Sequence, residues 1–316
     1  LSSGTPAVSV IVCTRNRLDT LRRSLPVLLG SAAQAPFEAE VLVVDNASTD
    51  GTHDWLRERA TTVSGLVPVH TPLIGASRAR NLGCIAARAA VLLFTDDDVF
   101  VPGEWVERMA EPLLEGAADA VASPIVLGEE YAAPWLTPYF RQRLAESALG
   151  DRPSPPLVGA GMGVRRELLR SAQWDPDLGP GCPPVLNGED VLFEQMIKHA
   201  GARVVRAEGA PAVHRPDPSR LDRASWLAMA ESHGWSDAYI AHHWLGTRVR
   251  ALPLRAAVNA ARLAAYRRRG QVAQPIGEAE FELVRAAAMS RALWAMRHDR
   301  PKYVRSQALP GPAPVG

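Results

Sequence analysis

Lysine is nearly missing from this chain: Lys198 and Lys302 stand alone, and every other basic residue is arginine. Cysteine is scarce too, with Cys13, Cys84 and Cys182 odd in number and widely spaced. Such a set forms neither a disulfide framework nor a zinc site, and it fits a reducing, cytoplasmic setting. No stretch approaches the ~18 to 20 unbroken apolar residues of a membrane span. Leu1 to Pro6 has neither the charged start nor the apolar run of a secretion signal. No glycine-rich phosphate cradle follows the first apolar run. Cys13-Thr14-Arg15-Asn16-Arg17 is neither the dinucleotide fingerprint nor the P-loop, which disfavours a dehydrogenase and an ATPase.

What remains describes a folded protein. The chain has 316 residues, 47% hydrophobic and 22% charged, enough for one large domain, or one domain with an appendage, and a sizeable core. The net charge of +1 conceals an asymmetry. Leu1 to Thr247 carries 22 basic and 30 acidic residues; Arg248 to Gly316 carries 13 basic and 4 acidic. Two parts so different in charge are expected to do different jobs.

Val8 to Cys13 is a β-branched run ending in Thr14-Arg15-Asn16, and Glu40 to Asp45 is a second. Leu66 to His70 and Ala90 to Thr95 are the third and fourth expected strands. Helices are expected over Arg17 to Leu29, shortened or kinked at Pro26, and from a Ser77 cap to Ala90, with Ala79, Leu82, Ile85 and Ala86 on its apolar side. Asp50 or Thr52 is expected to cap the helix of Trp55 and Leu56. Alternation of this kind predicts a parallel sheet covered on both faces. Ligands of such sheets sit beyond the C-terminal strand ends, where Thr14-Arg15-Asn16, Asp45-Asn46 and Asp96-Asp97-Asp98 all fall. Later, Ala160 to Val164 and Val204-Val205 read as strands. Arg166 to Ser171 and Glu189 to Ala200 read as helices, the second with Val191, Leu192, Met196 and Ile197 apolar. From Arg223 to about Tyr303 the pattern is helical, broken at Pro253 and near Pro275; Leu309 to Gly316 reads as a disordered tail.

Three consecutive aspartates after an apolar strand need an offset for their charge. A divalent ion, Mg2+ or Mn2+, with hard oxygen ligands is one solution; a solvated acidic turn is the other. In an extended segment Asp96 and Asp98 face one site and Asp97 another. Phosphate would then be held by metal and arginines, with Arg78 and Arg80 near a helix start. Asp45 suits a ribose hydroxyl or base edge, or an Asx turn with Asn46. Glu189-Asp190 suits helix capping or proton transfer. Trp135, Tyr139 and Trp174 are pocket or core residues.

Five blocks in order resemble the family 2 glycosyltransferases of the GT-A fold. They are Val8 to Arg17, Glu40 to Thr52, Ala79-Arg80-Asn81-Leu82-Gly83 with Leu92 to Val99, Gly159 to Arg166, and Asn187-Gly188-Glu189-Asp190. The resemblance covers roughly Pro6 to Pro216. It implies an α/β, Rossmann-like nucleotide-sugar-binding domain over 6–220, with a donor half to about 100 and an acceptor half beyond it. A helical region over 221–305 and a tail over 306–316 complete the expected organisation. It further implies that Thr14, Arg15, Asn16 and Asp45 hold the nucleotide, beside Arg80 and Asn81. Asp96 and Asp98 form the implied DxD pair, with Asp97 between them at the donor site, Asp98 the more direct metal ligand and Asp96 nearer the ribose or sugar. Asp190 is the implied base of a single-displacement, inverting transfer, and His214 resembles a late histidine that reaches metal or diphosphate. A UDP-sugar is the first donor expectation and a dTDP-sugar the second; the acceptor is an unidentified hydroxyl. A nucleotidyltransferase would require a glycine- and lysine-rich diphosphate loop, which is missing. A binding-only relative would have lost the base or the DxD, and both are present.

The basic part holds Arg248, Arg250, Arg255, Arg262, Arg267, Arg268 and Arg269 among Leu252, Leu254, Val258, Leu263 and Tyr266. Such a helix can lie on an anionic membrane, bind the acidic part of the chain or a dimer partner, or simply be solvated. No nucleic-acid module surrounds the arginines, so nucleic acid is not an expected partner. The lack of spanning segments argues against a processive polysaccharide synthase.

Overall fold

Both faces of the first strands are buried, so each must be apolar throughout, and helices supply the cover. The computed structural model describes residues 4–148, 156–209, 211–247, 252–268 and 275–303. Its first half alternates β1 (Val8–Thr14), α1 (Leu18–Gln34), β2 (Ala39–Asn46), α2 (Thr52–Ala60), β3 (Leu66–Thr71), α3 (Ala76–Ala86) and β4 (Val91–Asp96). The chain continues through β5 (Val99–Phe100), α4 (Trp105–Leu114), β6 (Ala120–Ala122), β7 (Ile125–Leu127), α5 (Pro138–Arg143) and β8 (Gly161–Arg165). Then follow α6 (Glu189–His199), β9 (Val204–Arg206), β10 (Ala212–His214), α7 (Arg223–Tyr239), α8 (Leu252–Arg268) and α9 (Glu278–Ala295).

Seven strands form the main sheet in the order β3-β2-β1-β4-β8-β6-β9. β1 to β4 are parallel, so Thr14, Asn46, Thr71 and Asp96 end on one edge. The parallel pairing expected from the alternating first half is present, and β8, the strand expected over Ala160 to Val164, joins it antiparallel to both β4 and β6. Between β4 and β8 the chain passes through β5, α4, β6, β7 and α5 before it returns to the sheet. Gly163 makes this pairing possible: a Cβ at that position would stand 2.6 Å from Leu93 Cδ2 and 3.0 Å from Leu113 Cδ1. A second sheet, β5-β10-β7, sets His214 opposite Val99, directly after the aspartates.

One large core packs Leu21, Leu25 and Leu28 of α1 with Trp105, Met109 and Leu113 of α4 against Val10, Val12, Val41, Val43 and Leu93 of the sheet. α1 continues past Pro26 and runs to Gln34, five residues beyond the expected limit at Leu29. Pro26 faces solvent, where water can replace the missing backbone bond. α3 ends at Ala86 rather than Ala90, starts after Gly75, and has Ser77 buried inside it. Its buried side is Ser77, Ala79, Arg80, Gly83 and Cys84, whereas Ile85 is 79% exposed. The reason is Gly83, whose missing side chain lets the helix sit on Ile11 and Val44.

Packing divides the chain into two units. The first comprises Leu1–Pro176 and Met196–Pro216, and the second Asp177–Gln195 and Asp217–Gly316. Thus Asp177–Gln195 clusters with the C-terminal helices, although it lies within the stretch expected as the acceptor half. In the second unit, buried Glu280 of α9 accepts from Arg223 at 2.6 Å, and Trp226 packs edge to face on Phe281. α7 and α9 approach so closely that a Cβ at Gly234 would overlap the Arg285 carbonyl. Val191, expected on the apolar side of α6, is 53% exposed. No helix of the described residues is long and apolar enough to cross a membrane. Arg248, Arg250, Arg269, residues 153–155 and the tail 306–316 lie outside the described residues.

Candidate functional site

The polar edge is assembled from loops that leave the parallel strands. Thr14, the last residue of β1, donates its hydroxyl to Asp97 Oδ2 at 2.7 Å. Asn16 adopts φ 53°, a left-handed turn, and its side-chain oxygen accepts the Thr49 N–H at 2.7 Å. The Asn16 N–H bonds Ser48 Oγ at 3.0 Å, and the Leu18 N–H bonds Asp50 Oδ2 at 3.0 Å. Asp50 also accepts from Thr52, so it organises the starts of α1 and α2 together. The loops after β1 and β2 are thereby one hydrogen-bonded unit, with Arg15 exposed on it.

Three aspartates stand at the end of β4, Asp96 within it and Asp97 and Asp98 after it, and they do not alternate as an extended segment would. The strand stops at Asp96 and the chain turns, which puts Asp97 and Asp98 on the same cation. Arg17 Nη1 donates to Asp97 Oδ1 at 2.6 Å and to Asp98 Oδ2 at 2.8 Å. Asp96 stands apart, 35% exposed at its side chain, with Arg80 Nη2 3.4 Å away. The expected pairing of Asp96 with Asp98, with Asp97 turned away, is thus replaced by an Asp97–Asp98 pair.

The electrostatics follow from burial. Burial, reinforced by Asp98 and opposed by Arg17, pushes the Asp97 carboxyl up to about 6. Burial also works to raise Asp98, but the His214 hydrogen bond and charge, with Arg17, hold it well below the usual carboxylate range. His214 Nε2 lies 3.2 Å from Asp98 Oδ1, and its Nδ1 lies 2.7 Å from the Leu144 carbonyl. Burial disfavours the His214 cation, yet Asp98 outweighs it and its pKa is raised. Arg17 is raised as well: Asp97 and Asp98 overcome its burial.

Arg80 is buried and lies 4.8 Å from the Trp174 ring, which itself packs on Phe94. Asn81 clamps the Trp174 backbone, with Nδ2 donating to its carbonyl at 2.8 Å and Oδ1 accepting its N–H at 3.2 Å. Trp174 is therefore core, and Asn81 positions it. Trp135 and Tyr139 are half-buried against Phe140. Asp45 is buried, accepts the Ser48 N–H at 3.1 Å and faces His70 at 3.0 Å. Its turn is made with Ser48, not with Asn46. Asp190 is the second residue of α6, after Glu189 in the first turn, and belongs to the second unit.

A family model described as "Glycosyl transferase family 2" matches residues 9–172, just over half of the chain. The chain belongs to glycosyl transferase family 2. Glycosyltransferase AglE of Haloferax volcanii is 25% identical over 221 residues, covering 69% of this chain and 70% of that protein. The undecaprenyl-phosphate mannosyltransferase of Micrococcus luteus is 47% identical over 53 residues, 17% of this chain and 20% of its own. Among solved structures, the mannosyltransferase PcManGT from Pyrobaculum calidifontis, in complex with GDP-Man and Mn2+, matches with TM-score 0.56. It is 23% identical, covering 93% of this chain and 88% of its own.

Within this family 2 glycosyltransferase, Thr14, Asn16, Asp45, Arg80, Asp96, Asp97, Asp98 and His214 all belong to the first unit. Hydrogen bonds and ion pairs link Thr14, Asp97, Asp98 and His214 through Arg17. Arg17 lies in the Val8 to Arg17 stretch, three residues past Thr14, a spacing that is the one sequence signal of its place here. His53 and His70 were missed outright. Among the described residues, Asp45, His53 and His70 are the one group of three whose ligating atoms all lie within 4.8 Å of one another.

Proposed function

We propose that this protein is a metal-dependent, inverting glycosyltransferase that moves a sugar from a nucleotide-sugar donor to an acceptor hydroxyl. The observation that carries the reading is the buried Asp97–Asp98 pair on Arg17, with His214 on the far oxygen of Asp98. Two buried carboxylates, with Asp96 beside them, gather acidic oxygens at the C-terminal edge of a nucleotide-binding type of sheet. Carboxylate oxygens with one imidazole suit Mn2+ or Mg2+, and Asp98 with His214 would hold the ion. When bound, the ion neutralises charge developing on the departing nucleoside diphosphate.

The chain's own residues supply the rest. Asp45 and the loop of Thr14 to Asn16 bind the nucleotide, and Asp96 meets the ribose or sugar. Arg80, held against Trp174, offers cationic charge beside Asp96. Asp190 takes the proton of the acceptor hydroxyl as that oxygen attacks the anomeric carbon. Its place in the first turn of α6 favours the ionised, proton-accepting form. The donor is a UDP-sugar by first expectation and a dTDP-sugar by second. GDP belongs in the test because PcManGT was solved with GDP-Man and Mn2+. Thermal melting with UDP, dTDP or GDP, each with Mn2+, Mg2+ or EDTA, tests the reading. Binding at ~100 times Kd stabilises by about 2.7 kcal/mol and raises Tm. Absence of a metal-dependent shift with every diphosphate would overturn it.

A second reading concerns location. α8 presents Leu254, 66% exposed, and Val258, 47% exposed, on one stripe with exposed Ala261 and Ala265. This stripe is opposite Asn259, whose side chain bonds the Ala286 carbonyl and Ser290 Oγ of α9. Exposed Arg255 and Arg262 flank the stripe, Arg268 extends it, and no acidic residue occurs from Arg248 to Gly277. Apolar surface edged only by cations fits an anionic lipid bilayer, where a lipid-borne acceptor would be met.

A further inference from the structure

Asp45 is the penultimate residue of β2, its carboxylate is buried, and two histidine rings converge on a single oxygen of it. His70 Nδ1 is 3.0 Å from Oδ2, and His53 Nδ1 is 3.7 Å from the same atom. The two rings meet edge to face, with centroids 4.6 Å apart. Three separate elements bring them together. His70 is the register partner of Asp45 across β2 and β3, and His53 lies in the first turn of α2. The Ser48 N–H holds the other carboxylate oxygen at 3.1 Å and fixes its orientation.

Hydrogen bonding accounts for only part of this geometry. At 3.0 Å the His70 contact is a hydrogen bond, whereas 3.7 Å is too long for one. Nitrogen and oxygen ligands of a tetrahedral ion, each about 2.0 to 2.2 Å from the metal, stand about 3.3 Å apart. The two observed separations bracket that value, and all three ligating atoms fall within 4.8 Å. Beside them lies an open cavity of about 380 Å³, lined in part by His53, His70 and Arg57, with room for solvent ligands.

We propose that Asp45, His53 and His70 form a binding site for a transition-metal ion of the zinc class, separate from the Asp96–Asp98 segment. Two imidazoles and one carboxylate select Zn2+, Ni2+ or Cu2+ over Mg2+ or Mn2+. The site uses the carboxylate assigned above to the donor nucleotide, so metal and nucleotide exclude one another. That consequence rests on the nucleotide reading; metal binding itself does not.

The test titrates the untagged full-length chain with Co2+, a spectroscopic substitute for Zn2+, in excess Mg2+. Visible absorption should grow to one equivalent and vanish on addition of Zn2+. His53→Ala and His70→Ala, both at partly exposed positions, should each weaken Co2+ binding by about tenfold or more, since outer-sphere losses alone reach that range. His199→Ala, at an exposed position in the last turn of α6, should leave it unchanged. Absence of the absorption, or its persistence in both histidine variants, overturns the site. A parallel titration with UDP separates the two readings. Zn2+ should raise the apparent Kd for UDP in the unmodified chain and not in His70→Ala. Loss of competition with Co2+ binding intact would count against the nucleotide role of Asp45 alone.

Discussion

His214 Nε2 sits 3.2 Å from Asp98 Oδ1, and both side chains are almost wholly buried. The pair makes stability depend on pH from both ends. His214 has its pKa raised above the ordinary 6.5, so its contribution is complete below that value and is lost as pH climbs through the folded-state pKa. Asp98 has its pKa lowered from 3.8, so its contribution is present above 3.8 and is lost as pH falls through the lower folded value. Asp97 runs the other way. Raised to about 6, it lets stability decline as pH rises from 3.8 to 6. In EDTA, Tm should therefore fall as pH increases above 6.5, and His214→Gln should flatten that alkaline slope. Equal slopes in the two proteins would mean that His214 is not the titrating group.

Among the described residues, Arg17 is the one basic side chain placed on both Asp97 and Asp98. Arg17→Ala leaves two buried carboxylates facing each other, and loss of one partner from a buried ion pair costs about 3 kcal/mol. Urea unfolding in EDTA should show that loss, and Asp97→Asn in the same background should recover part of it. Saturating Mn2+ should restore more stability to Arg17→Ala than to the unmodified chain, because a bound ion replaces the missing charge. A loss below about 0.5 kcal/mol, the range of ordinary surface substitutions, would contradict this account.

The edge of the sheet was legible because apolar runs ended abruptly in Thr14, Asp45 and Asp96, and strand ends gather in a parallel sheet. What the runs could not convey was pairing across the sheet. His70 meets Asp45 only because β3 lies beside β2, and His53 arrives from a helix; neither fact has a periodicity. β5, β6, β7 and β10 span only two or three residues each, too short for alternation to register, yet β10 is what delivers His214 to Asp98. Helical spacing misjudged Ile85 and Val191 because it assumes that apolar residues face the sheet. In α3 the contact is made by Gly83 and its small neighbours, which bring the helix too close for a larger side chain. Alternation likewise failed at Asp97, since it holds only while the strand continues.

Asp190 gives a kinetic prediction. General-base catalysis contributes about 100- to 10,000-fold, so Asp190→Asn should lower kcat within that range. Donor affinity, read by calorimetry with a nonreacting nucleoside diphosphate, should stay within about twofold, since a base that acts on the acceptor leaves ground-state donor binding unchanged. Parallel loss of donor affinity would assign Asp190 to binding or to the folding of α6, where acidic first-turn residues are ordinarily stabilising. Glu189→Gln supplies the comparison, because the same helix end should tolerate it with kcat retained.

Vesicle binding tests the outer stripe of α8. Each arginine close to an anionic surface contributes about 1 kcal/mol, roughly a fivefold factor in partitioning. The full chain should sediment with vesicles containing phosphatidylglycerol, not with phosphatidylcholine alone, and high salt should release it. Neutralising Arg255, Arg262 and Arg268 together should reduce binding by about a hundredfold on that arithmetic. Leu254→Glu should weaken it further without lowering Tm, since Leu254 is 66% exposed and supports no core. A salt-insensitive interaction would exclude the electrostatic component. A self-associating protein that Leu254→Glu converts to monomer would assign the stripe to a second copy of the chain, because an apolar face of this kind is buried equally well by its own symmetry mate.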